Sequence, residues 1–328
     1  AAKYFKKSAD SSCNAESMYY YATIIKELNE AQREQDKSAN LNYNSEVVKY
    51  LKKAAERRHL KSIVLLADML YEGDGVAVNL RDAKNYYLMA ARMDDAGSLY
   101  RYGLILLNDG YRANQAKGLK CIKKAADNGC IKAMHEYANS TTDSNEKDHY
   151  FKMACDNGYV PSMINYANKL FVGLDGIQQD KEKAAFYYRK AADDPENGDS
   201  ESMLKLAKMS NIGDGIPINK KEAAKYYKMA ADRGIPEAME TYGWMLDNSD
   251  GIAGDKREAA KYYKMAADNG SVEAMFNYGW MLQIGDGIPD DKKEAARYYK
   301  VAADNGNIEA MENYAYMLKS GDGIPKDE

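Results

Sequence analysis

Three stretches of the chain are near-copies of one another. KEAAKYYKMAADRGIPEAMETYGWML (221–246), REAAKYYKMAADNGSVEAMFNYGWML (257–282) and KEAARYYKVAADNGNIEAMENYAYML (293–318) begin 36 residues apart. An Ala-Ala-Asp-like anchor carries the phase back through Ala302, Ala266, Ala230, Ala191, Ala154, Ala125, Ala90 and Ala54 to a degenerate copy at Ser8, with spacings of 29 to 46 residues. Nine units therefore cover essentially all 328 residues. Self-similarity at such a period marks stacked supersecondary units, because one unit cannot bury its own apolar face and its neighbour must cover it.

Each unit reads as two helices. In the unit that starts at Asp255, residues Ala259, Ala260, Tyr263, Ala266 and Ala267 recur at helical spacing on one face. Asp255 with Glu258 has the D-x-x-E form of a capping box, repeated by Asn219/Glu222 and Asp291/Glu294. Gly270 is a natural stop. The second helix, from about Ser271 to Gln283, has Ala274, Met275, Tyr278, Met281 and Leu282 as its buried stripe, with Gly279 allowing close approach. GDGIP then breaks the chain, since Gly285 and Gly287 accept left-handed conformations and Pro289 blocks helix continuation. The expected fold is all-α: a right-handed α-α superhelix of about nine helix pairs, one solenoid over 1–328, with irregular junctions at 29–44 (a polar insertion) and 137–150 (a shortened unit without the GDG loop).

Composition narrows the function. The chain is 45% apolar and 29% charged, as a globular protein is. A net charge of -4 argues against a general nucleic-acid binder. No apolar run reaches bilayer-spanning length. Cys13, Cys121, Cys130 and Cys155 lack metal-ligand spacing and read as free thiols of a reducing compartment, with Cys155 at a small core position. His59, His135 and His149 are scattered over three units, and no nucleophile motif, phosphate loop or cofactor motif accompanies them. The GDG and SDG loops lack a calcium-ligand series, with Arg257 near where a bidentate Glu would follow Gly251. No catalytic, metal or cofactor site is expected. The first residues already lie in a helical pattern and the last stop at GDGIPKDE, so the chain is expected to be a piece of a longer one.

The G-x-G loop, the aromatic pair, the NG turn and the A-x-x-x-Y/L-G helix of GDGIPDDKKEAARYYKVAADNGNIEAMENYAYML resemble the Sel-one-like repeat, a relative of the tetratricopeptide repeat. The match is strong in the last three units and weaker but in phase in the first six. The resemblance implies an α-solenoid with a scaffold or adaptor role that binds proteins and does no chemistry.

Stacking makes equivalent positions neighbours, and three columns are candidate partner-binding surfaces. The basic column runs Lys6, Lys52, Leu88, Lys123, Lys152, Arg189, Lys228, Lys264 and Lys300. It reads either as a ridge for an acidic partner or as cations serving their own helix ends and the acid four residues on, as Lys264 with Asp268. A second column holds to tyrosine, including Tyr226, Tyr262 and Tyr298, and either lines a groove with outward hydroxyls or packs between repeats. The third, opposite the buried stripe of the second helix, runs Thr23, Asp68, Leu104, Asn139, Asn168 and Lys208, then turns aromatic at Trp244, Trp280 and Tyr316. These three read as a partner-facing ladder, unless a neighbouring repeat buries them. The leading expectation is a non-enzymatic protein-interaction scaffold. A structural spacer in a cytoskeletal or membrane-associated assembly and a regulatory arm of an enzyme lying outside this chain are its rivals. The expected partner is protein, with no nucleic acid and no membrane insertion, and the expected compartment is the cytoplasm.

Overall fold

A computed structural model describes residues 1–12, 14–35, 44–195 and 198–326. Cys13 and residues 36–43 of the polar insertion lie outside them. Eighteen helices and no strand occur among the described residues. Taken two at a time in chain order they are α1 (Ala2–Ser12) and α2 (Ala15–Gln35), α3 (Ser45–Ala55) and α4 (Leu60–Glu72), α5 (Leu80–Ala91) and α6 (Ala96–Leu107), α7 (Arg112–Asp127) and α8 (Ile131–Ser140), α9 (Ser144–Asp156) and α10 (Val160–Val172), α11 (Lys181–Ala192) and α12 (Ser200–Ile212), α13 (Lys220–Asp232) and α14 (Pro236–Asn248), α15 (Lys256–Asp268) and α16 (Val272–Ile284), and α17 (Lys292–Asp304) and α18 (Ile308–Ser320). The first helix of each pair is called A below and the second B.

The helices group into two compact units, Ala1–Tyr159 and Val160–Glu328. Within each, the substantial packing is between helices consecutive in the chain. That is the arrangement expected when each repeat covers the one before it. The shortened unit is explained locally. Helix α8 has 10 residues, and only Thr141, Thr142 and Asp143 separate it from α9. Asp143 caps α9 by accepting from the N–H groups of Asn145 and Glu146 at 2.9 and 3.0 Å.

The A helices start as their sequence dictates. Asp255 accepts from the Glu258 N–H at 3.0 Å, and Asn219 and Asp291 repeat the bond. Alanines fill the contacts: Ala259, Ala266, Ala274 and their counterparts are fully buried. The tight glycine crossings in the last repeats are at Gly243 and Gly279, where a Cβ would lie 3.1 Å from the Tyr263 ring and 3.2 Å from the Tyr299 ring. The loops after α12, α14, α16 and α18 turn back on the A helix of the same repeat. Gly287 has φ 76°, and a Cβ there would stand 2.6 Å from the Lys256 backbone, so both the conformation and the space exclude a side chain. Asp286 beside it pairs with Lys256 at 2.9 Å, and Asp250–Lys220 and Asp322–Lys292 repeat the pair at 2.8 Å. The GDG loops are turns that clamp the two helices of a repeat together.

Candidate protein-interaction surface

The tyrosine column is internal in the last four repeats. Tyr226, Tyr262 and Tyr298 are 1%, 0% and 5% exposed. Each hydroxyl donates to the Asp of the preceding repeat's Ala-Ala-Asp anchor: Tyr226 to Asp193 at 2.9 Å, Tyr262 to Asp232 at 2.7 Å and Tyr298 to Asp268 at 3.4 Å. Tyr50 and Asp10 do the same at 2.8 Å. The groove-lining reading of these tyrosines is therefore replaced by packing between repeats. The anchor aspartate ends one A helix and receives the tyrosine of the next. Burial pushes the Tyr262 hydroxyl up; the bond from Lys228 opposes this and the bond to Asp232 adds to it.

Much of the basic column is committed as well. Lys228 reaches Glu258 and the Tyr262 hydroxyl, both at 2.9 Å. Lys6–Glu46 and Arg189–Glu222 repeat the tie between successive A helices at 2.8 Å, as does Lys123–Glu146. Glu222 and Glu258 are glutamates that the sequence assigns to capping boxes, turned instead toward the preceding repeat. Burial works against the charge of Lys228, but its bonds to Tyr262 and Glu258 outweigh this and raise its pKa. Lys300 pairs with Asp304 of its own helix at 3.0 Å. Lys264 is different. Its counterpart acid, Glu294, is held by Arg297 in a two-pronged contact of 2.5 and 3.0 Å. Lys264 is exposed and, among the described residues, makes no ion pair or hydrogen bond. It borders a cavity of about 510 Å³ lined also by Arg257, Lys261 and Tyr278.

The aromatic column lies at the surface. Trp244, Trp280 and Tyr316 are 47%, 45% and 64% exposed. They occupy one position on α14, α16 and α18. Those helices are tied side by side through their caps. Ser271, the N-cap of α16, donates to Glu240 of α14 at 2.5 Å, and Asn307, the N-cap of α18, donates to Glu273 of α16 at 3.1 Å. Upstream, the same column serves the core. Asp68 accepts from the Tyr87 hydroxyl and Asn168 from the Tyr188 hydroxyl, both at 2.6 Å.

Charge separates between the helix layers, a feature that column-by-column reading missed although the sequence contains it. Helices α13, α15 and α17 each carry four basic and two acidic residues. Helices α14, α16 and α18 carry Glu237, Glu240, Asp247, Glu273, Glu309 and Glu312 against Lys319 alone. Cys121, Cys130 and Cys155 are free thiols, and Cys155 is buried in the core. No described helix is long and apolar enough to cross a membrane.

Consecutively packed helix pairs with exposed columns and no strand among the described residues define a helical-repeat protein of the solenoid class. Residues 48–59, 61–95, 96–130, 160–194, 200–235, 236–271, 272–307 and 308–328 match the Sel1 repeat. The chain belongs to the Sel1 repeat family, whose repeats generally serve as scaffolds for protein interaction. Two crystal structures share the fold. One is a protective antigen of uropathogenic Escherichia coli with an SLR fold, 18% identical at a TM-score of 0.69, the match covering 100% of this chain and 77% of that one. The other is a Sel1 repeat protein from Oxalobacter formigenes, 21% identical at a TM-score of 0.63, covering 96% and 90%. A search of curated proteins finds no match.

Proposed function

We propose that this protein is a non-enzymatic scaffold that holds a protein partner on the exposed face of α14, α16 and α18, with Trp244, Trp280 and Tyr316 as the contact rings. One observation carries the reading. Three large aromatics stand about half exposed at one position of three consecutive repeats, while the tyrosine column is buried and most of the basic column is paired. Exposed aromatics are enriched where proteins meet, and truncating a central one commonly costs about 2 kcal/mol or more of binding. The free thiols favour a reducing compartment, in keeping with the cytoplasm.

The test uses the full chain as bait, with two variants beside it. Trp244→Ala/Trp280→Ala/Tyr316→Ala alters the B layer, and Lys264→Glu alters the A layer. Partners retained by the wild type are identified, purified and titrated. The expected result is a loss of at least ~100-fold in affinity for the aromatic variant and little change for Lys264→Glu. A partner that tolerates loss of the three rings but is released by Lys264→Glu overturns the assignment.

A further inference from the structure

We infer that the segment received by this face is cationic: a stretch of a partner protein rich in Arg or Lys, its cations set among Glu237, Glu273 and Glu309 and over the rings of Trp244, Trp280 and Tyr316. The inference rests on the proposed docking face and names what that face selects.

The geometry comes from the seven-residue offset within each B helix. Glu237 precedes Trp244, Glu273 precedes Trp280 and Glu309 precedes Tyr316 by the same interval. Seven residues are nearly two turns, so acid and ring lie within roughly 20° on the helix and about 10 Å apart along it. Stacking three repeats turns these pairs into two parallel rows, one of carboxylates and one of aromatic rings. Glu237, Glu273, Glu309 and Glu312 are exposed. The acids also feel one another. Partial burial and then the charges of Glu240 and Glu309 push the Glu273 carboxyl above its ordinary range, while the bond from Asn307 pulls it back. A cation entering this row relieves that repulsion. An acidic segment would add to it, and a purely apolar one would strip water from carboxylates without pairing them.

The chain already contains a version of the contact. Lys208 stands in the aromatic column one repeat earlier, on α12, and sets its ammonium 2.5 Å from Glu237. A basic side chain arriving from the ring row thus reaches the acid row of the next repeat. Elsewhere in the molecule cations lie over aromatic faces, Lys225 over Tyr226 at 4.4 Å and Arg297 over Tyr298 at 4.5 Å. Indole is the strongest of these faces. Among the described residues no cation of the chain covers Trp244, Trp280 or Tyr316.

The experiment exploits the tryptophan count. The chain has two tryptophans, Trp244 and Trp280, both on this face, so its intrinsic fluorescence reports on it directly. The probes are three capped peptides of about twelve residues, repeats of Arg-Ala-Leu, Gln-Ala-Leu and Glu-Ala-Leu. The Arg peptide should shift the emission and bind at least ~10-fold more tightly than either other peptide, and lose much of that advantage between ~50 and ~500 mM salt. Glu237→Gln/Glu273→Gln/Glu309→Gln, folded by circular dichroism, should lower its affinity by at least ~10-fold, whereas Lys264→Gln should not. Failure of the Arg peptide to bind, equal binding of the Glu peptide, or indifference to the three Gln substitutions overturns the inference. Failure of the scaffold reading is seen separately, in a natural partner's indifference to loss of the three rings.

Discussion

The Tyr262 hydroxyl sits at the centre of the smallest unit that links two repeats. It donates to Asp232 at 2.7 Å and accepts from Lys228 at 2.9 Å, while Lys228 also holds Glu258. Tyr262→Phe keeps the ring and leaves Asp232 and Lys228 short of a partner, so it should cost about 1–2 kcal/mol in urea unfolding. An unchanged midpoint would show that water replaces the hydroxyl. Glu273 makes a prediction of opposite sign. Because its folded carboxyl is raised, the ionised form is the disfavoured one. That penalty is absent at low pH, where the group is protonated in both states, and complete once the pH exceeds the folded pKa. Glu273→Gln should therefore melt above the wild type at neutral pH and converge with it near pH ~4. The sequence showed that this column holds to tyrosine, Cys121 apart, but not why. Its explanation is an aspartate 30 residues earlier, and no local period reports a partner that far away.

At the scale of the helix, small residues decide how closely neighbours approach. Gly279 stands where a Cβ would be 3.2 Å from both near carbons of the Tyr299 ring, and Gly243 meets Tyr263 in the same way. In α18 the position is Ala315, which is exposed. Gly279→Val should destabilise by about 1–3 kcal/mol, while Gly279→Ala, which gains helix propensity as it crowds the ring, should be much milder. Equal melting of the Val variant and wild type would place Gly279 outside a tight crossing. This crossing was legible because the glycine sits inside a helical pattern that would otherwise exclude it. The crossing of α6 with α7 was not. There Gly103 and Gly118 face each other, and a Cβ on Gly118 would lie 2.7 Å from the Gly103 carbonyl. The two glycines belong to different helices in weakly patterned repeats, so nothing local couples them. The D-x-x-E boxes were half legible. The Asp caps as its spacing implies, but Glu258 is drawn to Lys228 and Glu222 to Arg189 of the previous repeat, because an ion pair between helices is available to them.

For the whole molecule, the governing fact is that substantial packing joins only consecutive helices within each unit. Stability should then behave as a sum of repeats and nearest-neighbour interfaces. Removing residues 292–328 deletes α17 and α18 and uncovers α16, but it takes away no contact made inside α10–α15. The shortened chain should keep its helical circular dichroism per residue and melt a few degrees lower, through loss of the Tyr299 and Tyr298 packing. Its urea m-value should fall by roughly a ninth, in proportion to the surface no longer buried. It should also retain Trp244 and Trp280 as reporters while losing Tyr316 and Glu309 from the docking face. The Arg peptide should then bind more weakly but still in preference to the Glu peptide, because two of the three acid–ring pairs remain. Global unfolding on removal of this one repeat would mean that distant helices support one another, and the solenoid account of the unit Val160–Glu328 would have to be abandoned.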